Sequence, residues 1–144
     1  MSARQTAWAL ALAGFIPFGG LLAAALFLSD DGVRGQATFA LAAYGAVVLS
    51  FLGGIRWGLG LSRDDETTAQ QLALSVVPSL AGWCSLLLAQ GVGFALLAVA
   101  FVAQGVRDNR SGMAGQFPAW FMPLRTTLTL MVTAVMVAAA FLLG

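Results

Sequence analysis

Gln36 to Leu61, QATFALAAYGAVVLSFLGGIRWGLGL, is an apolar stretch broken by one full charge, Arg56. A helix rises about 1.5 Å per residue, and roughly 20 apolar residues carry it across the ~30 Å hydrocarbon core of a bilayer. This stretch is long enough to do so. The other spanning structure, a barrel strand, alternates lipid-facing and lumen-facing side chains. Leu41-Ala42-Ala43-Tyr44-Gly45-Ala46-Val47-Val48-Leu49 does not alternate. Lipid offers the backbone no water, and a helix satisfies its own amides.

Outward from this stretch lie four more: Thr6 to Leu28, Gln70 to Ala89, Val92 to Val106 and Ala119 to Leu143. Val92 to Val106 is the shortest. The pattern predicts an all-α polytopic membrane protein, residues 1–144 forming one bundle of five transmembrane helices near 6–28, 36–61, 70–89, 92–106 and 119–143. The connections read as Ser29-Asp30-Asp31-Gly32, Ser62-Arg63-Asp64-Asp65-Glu66, Gln90-Gly91 and Arg107-Asp108-Asn109-Arg110-Ser111-Gly112. None is long enough to hold a soluble domain, and every carboxylate is expected in a connection.

Composition agrees. Only 9% of residues are charged and the mean hydropathy is +0.89, against about a quarter charged in soluble domains. A net charge of +1 argues against a nucleic-acid partner. With no His and a single Cys, the usual ligands of haem and zinc are missing, so no cofactor is expected. Cys84, within an apolar run, is expected to pack as a small hydrophobe.

The first stretch is too long for the roughly 7–15-residue core of a signal peptide, and bulky Phe27-Leu28 follow Ala23-Ala24-Ala25, so it is read as a retained span. Pro17, among Gly14, Gly19 and Gly20, predicts a kink whose freed carbonyl needs a partner from a neighbour or water. Arg4, Arg63, Arg107 and Arg110 fall on one side and only Arg34 on the other. The positive-inside rule then predicts the N-terminus inside and the C-terminus outside. The expected location is the cell inner membrane, multi-pass, with the N-terminus cytoplasmic and the C-terminus periplasmic. Trp8, Trp57 and Trp120 fall near the inner interface, and Trp83 deeper or toward the outer leaflet.

Arg56 and Arg125 are the only full charges expected inside helices, each about six residues, or roughly 9 Å, from the inner boundary. Either they snorkel to the headgroups, or they form the cationic floor of a pocket for an anionic or carbonyl-bearing amphiphile. Gln104 and Asp108, with Gln70, Gln71 and Ser75, lie at comparable depth, and Trp57, Ser79 and Trp120 complete the candidate ligand-binding set. Asp108 or the Asp64-Asp65-Glu66 cluster could instead pair with the arginines in a structural ion network. Thr38, Ala42, Ala46, Ser50, Gly54 and Gly58 recur every four residues, with Gly54 to Gly58 a formal GxxxG. Ser50, Gly54 and Gly58 are thus candidates for close helix packing or self-association, and Gly53 beside them is a further packing candidate. Arg56 projects roughly opposite, on the face of Gly45, Leu49, Leu52, Gly53 and Gly60, so the second helix should be central. Pro78 predicts a kink, Pro118 and Pro123 a helix start, and Thr126, Thr129 and Thr133 a weakly polar stripe.

Three segments, Phe51-Leu52-Gly53-Gly54-Ile55-Arg56-Trp57-Gly58, Pro78-Ser79-Leu80-Ala81-Gly82-Trp83 and Pro118-Ala119-Trp120-Phe121-Met122-Pro123-Leu124-Arg125, resemble the transmembrane protein 69 family. The likeness covers nearly the whole chain. It implies a small multi-spanning protein of bacterial or, in eukaryotes, mitochondrial membranes, and it brings no reaction with it. It also implies that Tyr often stands at position 121 and His or Arg at position 56, so a nitrogen donor or cation at 56 is the shared requirement.

The favoured function is a non-catalytic protein whose partners are membrane lipids, a membrane protein complex or a second copy of itself. The alternative is a transporter or channel for a small anion or amphiphile using Arg56 and Arg125. That alternative lacks an embedded titrating group and an evident repeated half. An enzyme is expected least, because acid–base work would fall to carboxylates in solvated loops.

Overall fold

The computed structural model describes residues 2–62 and 69–144, without the Met113 side chain, as five helices: α1 (Ala3–Phe27), α2 (Asp31–Leu61), α3 (Ala69–Ser85), α4 (Gln90–Met113) and α5 (Phe121–Leu142). No strand occurs among the described residues. Helices α1, α2, α4 and α5 are long and apolar enough to cross a bilayer. The shortest helix is α3, with 17 residues, and not the Val92 to Val106 stretch. The Arg63, Asp64, Asp65 and Glu66 expectations lie outside the described residues.

Several helices outrun their apolar stretches because polar residues cap them. The Ser2 hydroxyl accepts from the Gln5 amide while the Gln5 side chain accepts from the Ser2 amide, a reciprocal capping box that starts α1 ahead of Thr6. Asp30 caps α2 by accepting from the Val33 amide at 2.8 Å, and Asp31 sits in the first turn, where the helix dipole favours an anion. What reads in sequence as a loop is thus the first turn of α2.

The largest departure is in α4. Arg107-Asp108-Asn109-Arg110-Ser111-Gly112 is helical, not a connection. The helix stops beyond it, where Gly115 takes a φ of 74°. The Gly115 amide donates to the Gly112 carbonyl and the Gln116 amide to that of Ser111, the paired bonds of a Schellman stop that favours glycine at its left-handed position.

The backbone of α2 lies against α1, α3 and α4, as its central placement requires, and α5 bridges α4 and α1. Leu41, Leu49, Phe94, Leu97, Phe101 and Met136 are fully buried between them. Phe18 from α1 completes this core, 4.8 Å from the Tyr44 ring and edge-on to Phe101 at 6.4 Å. Gly45, Leu49, Leu52 and Gly53 are buried, so that face of α2 is the core face. The outside is apolar: Ile16, Phe39, Val47, Phe51, Val99, Leu130 and Phe141 are all exposed. Cys84 is exposed too and does not pack inside as expected.

Pro17 sits inside α1 and leaves the Ala13 carbonyl without its usual donor. The Tyr44 hydroxyl of α2 donates to the next carbonyl, that of Gly14, at 2.8 Å. A neighbouring helix therefore supplies a donor in the proline-disrupted turn, to the carbonyl next to the freed one.

Candidate functional site

The buried polar cluster begins with helical spacing on α4. Gln104 and Asp108 lie one turn apart and Ser111 follows on nearly the same face. The Asp108 carboxylate, 6% exposed, accepts from Gln104 Nε2 at 3.0 Å and Arg56 Nη1 at 3.2 Å through Oδ1, and from Arg125 Nε at 2.7 Å through Oδ2. Arg56 Nη2 donates to Ser111 Oγ at 2.9 Å. Arg125 Nη1 donates to Thr129 Oγ1 at 2.9 Å, and that hydroxyl donates onward to the Arg125 carbonyl. Three helices, α2, α4 and α5, thus meet on one carboxylate.

Asp108 is therefore an embedded charge, which corrects the expectation that every carboxylate lies in a connection. It is tolerated there because two guanidiniums neutralise it and both its oxygens accept hydrogen bonds, three in all. The two arginines, 12% and 4% exposed, are inward-facing and do not snorkel. Two cations on one anion leave a surplus of one positive charge in this cluster among the described residues. Arg125 Nη2 is buried and has no acceptor among them.

Arg107 works differently. Pro78 lacks an amide hydrogen, so the Leu74 carbonyl one turn earlier in α3 loses its helical donor. Arg107 Nη1 donates to that Leu74 carbonyl at 2.8 Å and Nη2 to the Gln71 carbonyl at 3.3 Å. An arginine on α4 thereby fills a gap that a proline opens in α3. Arg107→Met is expected to cost about 1.5–3 kcal/mol, the net worth of a charged hydrogen bond. In a Pro78→Ala background, where the amide returns, the same change should cost measurably less. A double-mutant cycle by reversible unfolding in mixed micelles checks this, and equal costs in both backgrounds would rule the pairing out.

Beside the cluster lies a cavity of about 400 Å³ between α1, α2 and α5, backed by Phe101 of α4 and partly open, since Leu10 and Phe51 of its wall are also exposed on the outside. Its wall is almost entirely apolar, from Ala7 and Phe121 at one end to Phe18 and Val132 at the other, with Phe15, Ile55 and Leu128 between. Arg125 is the one charged residue of that wall, and Tyr44 is its hydroxyl.

Of the expected ligand-binding residues, Arg56, Arg125, Asp108 and Gln104 come together. Trp57 is exposed, Ser79 is half-buried on α3, and Trp120 precedes α5 with its ring edge-on to Phe121. None of these three joins the hydrogen-bonded cluster. Ser111, Thr129, Arg107 and Tyr44 were missing from the expected site. Only Thr129 had a sequence signal, its place one turn after Arg125. Among the packing candidates, a Cβ at Gly53 would fall 2.5 Å from the Ser75 carbonyl oxygen, so α3 approaches there. At Gly54 and Gly58 a Cβ would meet no described atom within 4 Å, so of the two uses expected of this pair the described helices do not make the close packing. Ser50 donates to the Ala46 carbonyl of its own helix.

A helical bundle with at least four membrane-length apolar helices, an apolar exterior and its charges turned inward is a multi-pass membrane protein. The chain belongs to the family described as "Protein of unknown function (DUF3429)", matching it over residues 3–141. It is similar to Transmembrane protein 69 of Xenopus tropicalis, 34% identical over 130 residues that make up 88% of this chain and 50% of that protein. It is likewise similar to Transmembrane protein 69 of Mus musculus, 31% identical over 123 residues, 84% of this chain and 49% of that one. The chain spans about half the length of these curated relatives. No solved structure matches it.

Proposed function

We propose that this chain is a non-catalytic protein of the cell inner membrane that binds a membrane amphiphile in the cavity between α1, α2 and α5. The observation that carries this reading is the meeting of two features at Arg125, an apolar cavity of ligand size and a buried guanidinium with a spare donor. The non-catalytic reading is supported by the engagement of Asp108 with three donors and by the absence of His from the sequence.

In this proposal α3 also crosses the bilayer, its 17 residues giving about 25 Å of helix. The N-terminus is cytoplasmic, a placement supported by Arg4, Arg107 and Arg110 on one side and Arg34 on the other. A second reading, assembly with another membrane helix or a second copy, is favoured by the outward Gly54 and Gly58, whose lack of side chains allows close backbone approach.

Native mass spectrometry of the protein in native-membrane nanodiscs tests both. Wild type is expected to carry an amphiphile that Arg125→Gln loses, with Arg56→Gln reducing it. Identical spectra from all three would defeat the binding proposal, and a dimer or a co-purified protein lost in Gly54→Ile would support the second reading.

A further inference from the structure

Resting on that binding reading, we infer that the occupant is a single-chain amphiphile whose head group is an oxyanion, a carboxylate or a phosphate diester. Four observations converge on this class. Among the described residues the cluster of Arg56, Arg125 and Asp108 holds more positive than negative charge, and a buried surplus of that sign favours an anion. Arg125, which lines the cavity, has one guanidinium nitrogen with no acceptor among the described residues, and planar guanidiniums suit oxyanions. The other polar group of the wall, the Tyr44 hydroxyl, already donates to the Gly14 carbonyl. A neutral hydroxyl or amide head can accept from that nitrogen or donate to the Tyr44 oxygen but gains no charge pairing, and the cation of a zwitterion finds no carboxylate in a wall whose one charged residue is Arg125.

Shape points the same way. Arg125 stands in the second turn of α5, and the apolar wall continues past Leu128 to Val132, about 10 Å deeper along the helix. Anchored at Arg125, a head group sends its chain toward Phe18 in the middle of the bundle. About 400 Å³ is near the lower end of the roughly 300–1,000 Å³ of small-molecule sites, which suits one chain better than two.

The test uses the full chain in phosphatidylcholine nanodiscs, titrated with palmitate, lysophosphatidylglycerol or palmityl alcohol and read by native mass spectrometry. One anionic amphiphile per chain is expected to bind at least about tenfold more tightly than the alcohol, the margin of a charge-assisted hydrogen bond. Arg125→Gln should bring that ratio close to one, and Ala11→Phe, which fills the cavity, should abolish binding of every probe. Preference for just one of the two anions upholds the class and names its source. Equal binding of acid and alcohol by wild type overturns the head-group inference while leaving the cavity reading standing, and needs no variant to fold. Binding unaffected by Ala11→Phe, or no binding by any probe, removes the cavity reading and this inference with it.

Discussion

Asp108→Asn is expected to lower the stability of the bundle by about 3–5 kcal/mol, the usual cost of removing one partner from a buried ion network. The carboxylate is the only anion between Arg56 and Arg125 among the described residues. Asparagine keeps the shape and one acceptor but leaves two inward-facing guanidiniums to repel each other across a neutral amide. The loss comes from the stranded charges, so removing them should restore stability. Asp108→Leu combined with Arg56→Met and Arg125→Met is expected to recover most of it, as apolar replacement of whole buried networks often does. Gln104→Leu, which deletes one neutral donor to the same oxygen, should cost only about 1 kcal/mol. Reversible unfolding in mixed micelles measures all three. An Asp108→Asn loss under about 1 kcal/mol, or a triple variant no better than the single, would show that the carboxylate does not hold the three helices.

Two adjacent glycines are expected to respond in opposite ways. Leucine at position 53 should cost about 3 kcal/mol or more, because its Cβ alone falls 2.5 Å from the Ser75 carbonyl oxygen and 3.5 Å from the Pro78 ring. The obstacle is backbone of a packed helix, which cannot turn aside as a side chain can, so α2 and α3 must separate. Leucine at position 54 meets open space and gains up to about 1 kcal/mol of helix propensity over glycine. The same unfolding titration on Gly53→Leu and Gly54→Leu decides it, with similar effects at the two positions counting against the α2–α3 contact.

The helices were legible because a bilayer rewards an apolar run of a given length, and that property sits in neighbouring residues. The core face of α2 was legible for the same reason, since Gly45, Leu49, Leu52 and Gly53 share a helical period. Other features were hidden by the rules that made these visible. Hydropathy ends a segment at its first cluster of charges, whereas a helix ends when its backbone bonding is broken. Arg107 to Gly112 therefore looked like a loop, although the stop lies at Gly115. Asp108 could not be placed, because its partners stand 52 and 17 positions away and either arginine alone would suggest snorkelling. The GxxxG spacing of Gly54 and Gly58 carried no information about which way they point, and the glycine that meets another helix is one residue away. Proline positions foretold missing backbone donors, but nothing local named Arg107 as the replacement.

The five helices are not equally committed to one another. Phe18 and Ala25 are the buried residues of α1, and the Asp108 cluster draws on α2, α4 and α5 without it. In lipid there is little hydrophobic gain from docking one apolar rod on another, so a helix with few close-packed residues is held weakly. The α1 segment is then a side wall on a frame built by the other helices, joined to it by Phe18, by the Tyr44 hydroxyl on the Gly14 carbonyl and by Arg34 on the Ala25 carbonyl. That wall borders the cavity and takes no part in the charge cluster, so the room for an occupant and the charge that would anchor it are set by separate parts of the molecule.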